Sequence, residues 1–133
     1  MSVDKEGRFA GAVLQKGDTK CTVVSVYAPN VDRSKESRQA YVSWLISLRF
    51  RIEELRAKVN SGSLIVMGDF NLILDSGLDS FSPSPTVHTI PVQELLAMTE
   101  DMDLHDCYRW FNGTKKDYTF KPGGKNVKCI LLE

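Results

Sequence analysis

The chain has 133 residues, 42% of them apolar and 26% charged, a globular balance that suits one domain and excludes disordered, collagenous and coiled-coil fibre classes. Seventeen Lys and Arg offset seventeen Asp and Glu, so net charge alone names no polyanionic partner. No apolar run approaches the roughly 20 residues that cross a bilayer, and Met1 to Arg8 lacks the apolar segment of a secretory signal.

From the N-terminus, Met1 to Arg8 reads as a charged leader without a strand. Arg8 to Leu14 alternates imperfectly up to the turn signal Lys16-Gly17-Asp18, and Cys21 to Tyr27 is rich in β-branched residues and stops at Pro29-Asn30. The two segments predict a hairpin. Asp32 or Ser34 can then cap a helix of roughly 25 residues. Its apolar face runs Tyr41, Leu45, Leu48, Ile52, Leu55 and Val59 in steps of four and three, with Trp44, Ile46 and Phe50 widening the stripe. That width favours packing on a sheet over a coiled-coil seam. Asn60-Ser61-Gly62 ends it.

Leu64 to Met67 is apolar at successive positions, which predicts a strand buried on both faces. Asp75 to Pro85, with two Pro, one Gly and four Ser, reads as a loop. A second helix is expected near Pro91, with Thr89 as cap and Leu95, Leu96, Met98 and Met102 on its buried side. Leu104 to Trp110 reads as a short extended stretch. Tyr118-Thr119-Phe120 reads as a strand before the Pro122-Gly123-Gly124 turn. The order β–β–α–β–α–β–β predicts an α/β layered domain with a mixed sheet.

Charge is unevenly spread. Residues 59–108 hold eight acids and no Lys or Arg, whereas residues 109–133 hold six basic residues against two acidic. This suits a cation site beside a phosphate-binding surface, and equally an ordinary variation of surface charge. Cys21, Cys107 and Cys129 lie far apart with no CxxC pair. Inert reduced thiols in an intracellular protein, nuclear or cytoplasmic, are the expectation.

Two motifs stand where chemistry gathers, at the carboxyl ends of strands in an α/β sheet. Gly68-Asp69-Phe70-Asn71 offers an ionised carboxylate and a primary amide two residues apart, able to point the same way from an extended chain. Tyr27-Ala28-Pro29-Asn30 offers a phenol and an amide able to donate to an anion. Each motif also suits a plain turn.

Taken in order, Ser25-Val26-Tyr27-Ala28-Pro29-Asn30, a long amphipathic helix and Leu64-Ile65-Val66-Met67-Gly68-Asp69-Phe70-Asn71 resemble the endonuclease/exonuclease/phosphatase superfamily. More narrowly, they resemble the apurinic-type endonuclease domain of LINE-like (non-LTR) retrotransposons, which is associated with a reverse transcriptase. Leu104-His105-Asp106-Cys107-Tyr108-Arg109 is similar to that family's "L-x-D-x-aromatic-R", and Asp117-Tyr118-Thr119-Phe120 to its "YTF" strand. The resemblance runs from about residue 8 to residue 124 and implies a single truncated domain over residues 1–133. The implied architecture is a partial four-layer α/β sandwich with a mixed, mainly antiparallel sheet flanked by helices.

The resemblance further implies Mg²⁺-dependent cleavage of phosphodiester bonds in DNA, with Mn²⁺ as a substitute ion. Asp69 would orient or activate the attacking water and contribute weakly to metal binding. Asn71 would bind the phosphate and hold that aspartate, Tyr27 would donate to a phosphate oxygen, and Asn30 would line the substrate face. The family's upstream Gln-Glu strand, which carries its main metal ligand, has no counterpart, since Glu6 lies in the charged leader. Lys125 to Ile130 stands where a "S-R-x-D-Y" strand belongs, and a terminal Ser-Asp-His is missing. His105-Asp106 is no substitute for it, and His88 reads as a loop residue.

Near-background activity of the chain alone is therefore expected, because losing a general base costs about 10²–10⁴ in rate. A completing chain, or the remainder of a longer polyprotein, is the implied partner besides DNA. Two alternatives remain. One is a non-catalytic nucleic-acid-binding remnant using Lys115, Lys116, Lys121, Lys125 and Lys128. The other is a phosphatase of the same fold acting on a lipid or inositol phosphate. Trp44 is expected in the core, and Trp110 with Phe111 as well.

Overall fold

The computed structural model describes residues 1–59, 62–79, 88–116 and 129–132. Strands β2 (Phe9–Lys16) and β3 (Thr19–Tyr27) form the expected hairpin, antiparallel about Gly17-Asp18. Gly17 takes φ +59°, a region open to glycine at little steric cost. The leader departs from expectation. Ser2–Val3 forms a short edge strand, β1, against Ala10 and Gly11. The Asp4 carboxylate makes this possible by accepting from the backbone N–H groups of Arg8 at 2.7 Å and Phe9 at 3.2 Å, which closes the turn between β1 and β2.

Helix α1 (Lys35–Ala57) starts at Ser34, whose hydroxyl accepts from the Ser37 N–H at 3.1 Å. Asp32 supports this cap by accepting from the Ser34 N–H at 2.7 Å, and its bonds to Ser34 hold its carboxyl below the usual range. Tyr41, Leu45, Leu48, Ile52, Leu55 and Val59 are all buried, as their spacing predicts. Trp44 packs on that core from the side. Ile46 and Phe50 do not, being 65% and 62% exposed. They lie on the far side of the helix, so the buried stripe is narrower than the sequence suggested.

Strand β4 (Ser63–Asp69) runs parallel to β3, with Val24 opposite Val66 and Tyr27 opposite Asp69. Its burial alternates. Leu64 and Val66 face the helices and are fully buried, while Ile65 and Met67 are only partly covered. The strand is thus buried fully on one face, not on both.

Helix α2 (Thr89–Asp101) packs on α1 and adds Leu95, Met98 and Met102 to the common core. Thr89 is the first helical residue rather than the cap. His88 holds the cap position, without a side-chain cap bond. Leu96 points outward at 47% exposure, whereas Pro91 and Val92 take buried places.

The stretch expected to be extended from Leu104 gives only the two-residue strand β5 (His105–Asp106) before turning into helix α3 (Cys107–Asn112). Asp106 causes the switch, because its carboxylate caps the helix by accepting from the Arg109 N–H at 3.1 Å. Trp110 and Phe111 are exposed in consequence and lie outside the core. Strand β6 (Cys129–Leu132) overlaps only the last two residues of the Lys125 to Ile130 stretch, whose residues 125–128 lie outside the described residues, and pairs antiparallel with both β4 and β5.

The sheet order is β1-β2-β3-β4-β6-β5, mixed and mainly antiparallel, with β3–β4 as the parallel pair. The fold is α/β, with α1 and α2 sharing one core with the sheet. Tyr118 to Phe120, the Pro122-Gly123-Gly124 turn, Lys121, Lys125, Lys128 and the loop end 80–85 lie outside the described residues.

Candidate functional site

Parallel pairing of β3 and β4 sets Tyr27 directly beside Asp69. Adjacent strands are about 4.8 Å apart, and paired residues share a face. Both side chains therefore rise from the side of the sheet opposite α1, at the same end of the sheet. The pairing extends past the strands, because the Ala28 N–H donates to the Asp69 carbonyl at 2.8 Å.

Three further bonds fix the Gly68 to Asn71 turn. The Asn71 N–H donates to Asp69 Oδ1 at 2.9 Å, and Asn71 Nδ2 donates to the Ala28 carbonyl at 2.6 Å. From below, the buried Tyr41 hydroxyl donates to the Phe70 carbonyl at 2.6 Å. Burial, with a smaller push from the Asp69 charge, raises the Tyr41 phenol far above its ordinary value, so it remains a donor.

Asn71 adopts φ +50°, a conformation uncommon outside glycine but tolerated by Asn. This turns the chain back so that its amide reaches across to β3. Gly68 is required for a different reason. It takes φ +144°, and a Cβ there would overlap the Val26 carbonyl. The Gly-Asp-x-Asn order thus serves close strand approach first and presents the two polar groups second.

Asp69 is held by the backbone N–H of Asn71, while the Asn71 side chain holds the neighbouring strand. One amide N–H and the amide oxygen of Asn71 remain for a ligand. Asp69 is partly buried and Tyr27 is 51% exposed. Asn30 is exposed in the loop before α1, where its carbonyl accepts from Ser37 Oγ at 3.4 Å. Among the described residues no hydrogen bond joins it to Asp69 or Asn71.

Arg8 was missed from the sequence. Its carbonyl accepts from the Tyr27 N–H at 2.9 Å, its Nη1 donates to the Tyr27 carbonyl at 3.4 Å, and its guanidinium lies 5.8 Å from the Tyr27 ring centre. The signal was available, because a hairpin folded about Gly17-Asp18 must set residue 8 against residue 27. Arg109, which closes the L-x-D-x-aromatic-R motif, was given no role in the site. It pairs with Asp79 in the loop that leaves this site, and donates to the carbonyls of Gly113 at 3.3 Å and Lys115 at 2.9 Å.

Among the described residues, no three His, Cys, Asp or Glu side chains converge as metal ligands. Glu6 is exposed and pairs with Arg8 at 3.6 Å, and exposed His105 pairs with Asp103 at 3.5 Å. Among the described residues Asp69 therefore has no carboxylate partners for a metal cage, and these residues do not fit one by themselves. What the tip does assemble is one carboxylate, one amide, one phenol and one guanidinium around a shared edge, a set suited to gripping an anionic oxygen group.

A groove of about 640 Å³ opens elsewhere, between residues 3–6 and α1, lined by Phe9, Trp44, Leu48 and Arg51 among others. No described helix is long and apolar enough to cross a membrane.

No protein-family model matches the chain. Among solved structures, the catalytic domain of Xenopus laevis APE2 superposes with a TM-score of 0.66 at 23% identity, covering 96% of this chain and 46% of that one. The fold is shared with the APE2 domain. The chain spans a little under half the length of the APE2 structure, so the likeness concerns this portion of the architecture and is one of fold.

Proposed function

We propose that the chain is part of a phosphodiester-cleaving domain acting on DNA, of the apurinic-type endonuclease kind found in LINE-like retrotransposons. One observation carries the reading: the parallel register that stands Tyr27 beside Asp69, with Asn71 bonded to both strands. The fold shared with the APE2 catalytic domain supports it, as does the order of the motifs along the chain.

In this reading the Asp69 carboxylate orients the attacking water, and the spare amide hydrogen of Asn71 and the Tyr27 phenol donate to phosphate oxygens as charge develops. Asn30 lines the approach. Of the described residues, Asp69 alone would contribute to holding a Mg²⁺ or Mn²⁺ ion, which would supply charge neutralisation when bound. The chain acts as one domain in an intracellular setting, with little turnover expected from the described residues alone, which hold no cluster of metal ligands.

Titrating the isotopically labelled chain with a short duplex bearing an abasic site tests the reading. Backbone resonance shifts are expected at Tyr27, Asp69 and Asn71, and Tyr27→Phe with Asn71→Ala should weaken binding about tenfold. Absence of shifts at these tips overturns the proposal. Inositol phosphate serves as the competing ligand, and a response to it alone would favour a phosphatase. Plasmid nicking in Mg²⁺ should remain near background. Robust nicking that disappears in Asp69→Ala would overturn the inactivity.

A further inference from the structure

Helix α3 has no fully buried residue, Cys107, Tyr108 and Arg109 being half-covered against β5 and β6. Polar bonds fix its two ends. Asp106 caps its start, and the Arg109 guanidinium ties it to Asp79 and to the Gly113 and Lys115 carbonyls. On this frame Trp110 and Phe111 are 73% and 81% exposed, more than any other large apolar side chain described except Met1. The Trp110 ring lies against His105, with centroids 5.6 Å apart at 57°. Phe111, one residue on, points about 100° away around the helix.

Lys115 and Lys116 follow the Gly113-Thr114 turn, and the backbone of Lys115 is anchored through both its N–H and its carbonyl. The Lys115 N–H donates to the Asn112 carbonyl at 3.1 Å, and its own carbonyl accepts from Arg109. Both lysines are exposed. The described acids nearby have partners of their own, Asp79 in Arg109, Asp106 in the helix cap and Asp103 in His105. Among the described residues no ion pair involves either lysine.

The position is informative as well. Strand β5 runs in the same direction as β4, because both are antiparallel to β6. Helix α3 therefore leaves toward the end of the sheet where β4 delivers Asp69. Asp106 is level with Val66, three residues short of Asp69, and α3 starts two strand spacings, about 10 Å, to the side.

We propose that Trp110 and Phe111, flanked by Lys115 and Lys116, form a stacking surface for unpaired nucleotides of a nucleic-acid strand. Sites for single strands combine aromatic faces with a cationic margin, and stacking tolerates any base. A protein-docking surface fits less well, because lysine is depleted at such interfaces. The proposal rests on the strand-tip reading above, and gives that site a neighbouring grip on an unpaired segment.

Fluorescence anisotropy of the full chain with labelled short oligo(dT) and with duplex tests it. Trp110→Ala/Phe111→Ala should weaken oligo(dT) binding about tenfold or more and duplex binding less. Lys115→Gln/Lys116→Gln should weaken both and flatten the salt dependence. In a Trp44→Phe background, oligo(dT) should quench the remaining Trp110 emission, a readout that leaves the patch intact.

Unchanged affinity in the aromatic variant, or unquenched Trp110, overturns the proposal. So does a change of sedimentation in that variant with oligo(dT) binding intact, which would mark a protein–protein surface. If Tyr27 and Asp69 respond to the abasic duplex while the rings prove dispensable, the patch falls and the strand-tip reading stands. Ring-dependent oligo(dT) binding without a response at the tips gives the reverse.

Discussion

The two faces of the β3–β4 pair differ in what they contribute. Toward α1, Val24, Val26, Leu64 and Val66 are 0–5% exposed and belong to one core with Tyr41, Leu48 and Ile52. Away from α1, Val23, Ile65 and Met67 are only partly covered, Ser25 and Tyr27 are exposed, and Asp69 ends the row. The inner face does the work of stability, and the outer face carries the polar groups of the candidate site. A change on one face should thus be read mainly in unfolding, and a change on the other mainly in binding.

Gly68 breaks that separation, since it lies in the inner row and immediately precedes Asp69. Gly68→Ala is expected to have the largest effect, about 4 kcal/mol or more in denaturant unfolding, because the new Cβ meets the Val26 backbone and the φ of +144° is strained for any L side chain. A cost below about 1 kcal/mol would mean that β3 and β4 can part at this point, and the fixed spacing of Tyr27 and Asp69 would fall with it.

Leu64 and Met67 sharpen the contrast within a single strand. Leu64→Ala should cost about 2–5 kcal/mol, as a fully buried side chain leaves a cavity against the helices. Met67→Ala, on the half-covered face, should cost less than half as much, since less apolar area leaves water in the folded state. Equal costs would show that the outer face is as well packed as the inner one.

The parts of the fold that were legible in the sequence are those where local pattern and tertiary environment agree. The hairpin about Gly17-Asp18 and the six-residue stripe of α1 are such cases, and so is a strand ending at Gly68-Asp69. Leu64 to Met67 misled because an unbroken apolar run says that a strand is apolar on both faces without saying that both are covered. Ile46 and Phe50 misled for a related reason, since apolar residues also stand on helix surfaces without touching the core. The Asp106 cap was visible as a residue type, but a short apolar stretch after it suits strand and helix alike. At the site, strand-end placement pointed to Asp69 and Tyr27. Arg8 required the hairpin register, and the backbone twist that sends the Asn71 amide to Ala28 required coordinates.

Tyr41 gives the smallest but most diagnostic prediction, because it connects the two faces. Its hydroxyl is buried beneath the candidate site and donates to the Phe70 carbonyl. Tyr41→Phe removes that donor and leaves a buried carbonyl without it, at a cost of about 1–3 kcal/mol at neutral pH. The pH dependence identifies the cause. The folded state holds this proton well above the ordinary Tyr value of 10.0, so above that pH the unfolded chain releases a proton that the native protein keeps. The contribution is thus fully present below pH 10 and is lost as pH rises further, with unfolding free energy falling on the alkaline side. Tyr41→Phe should flatten that alkaline limb relative to wild type. An alkaline limb unchanged by Tyr41→Phe would mean that the phenol is not held between the core and the Phe70 carbonyl, and the support beneath the Asp69 turn would have to come from the β3 pairing alone.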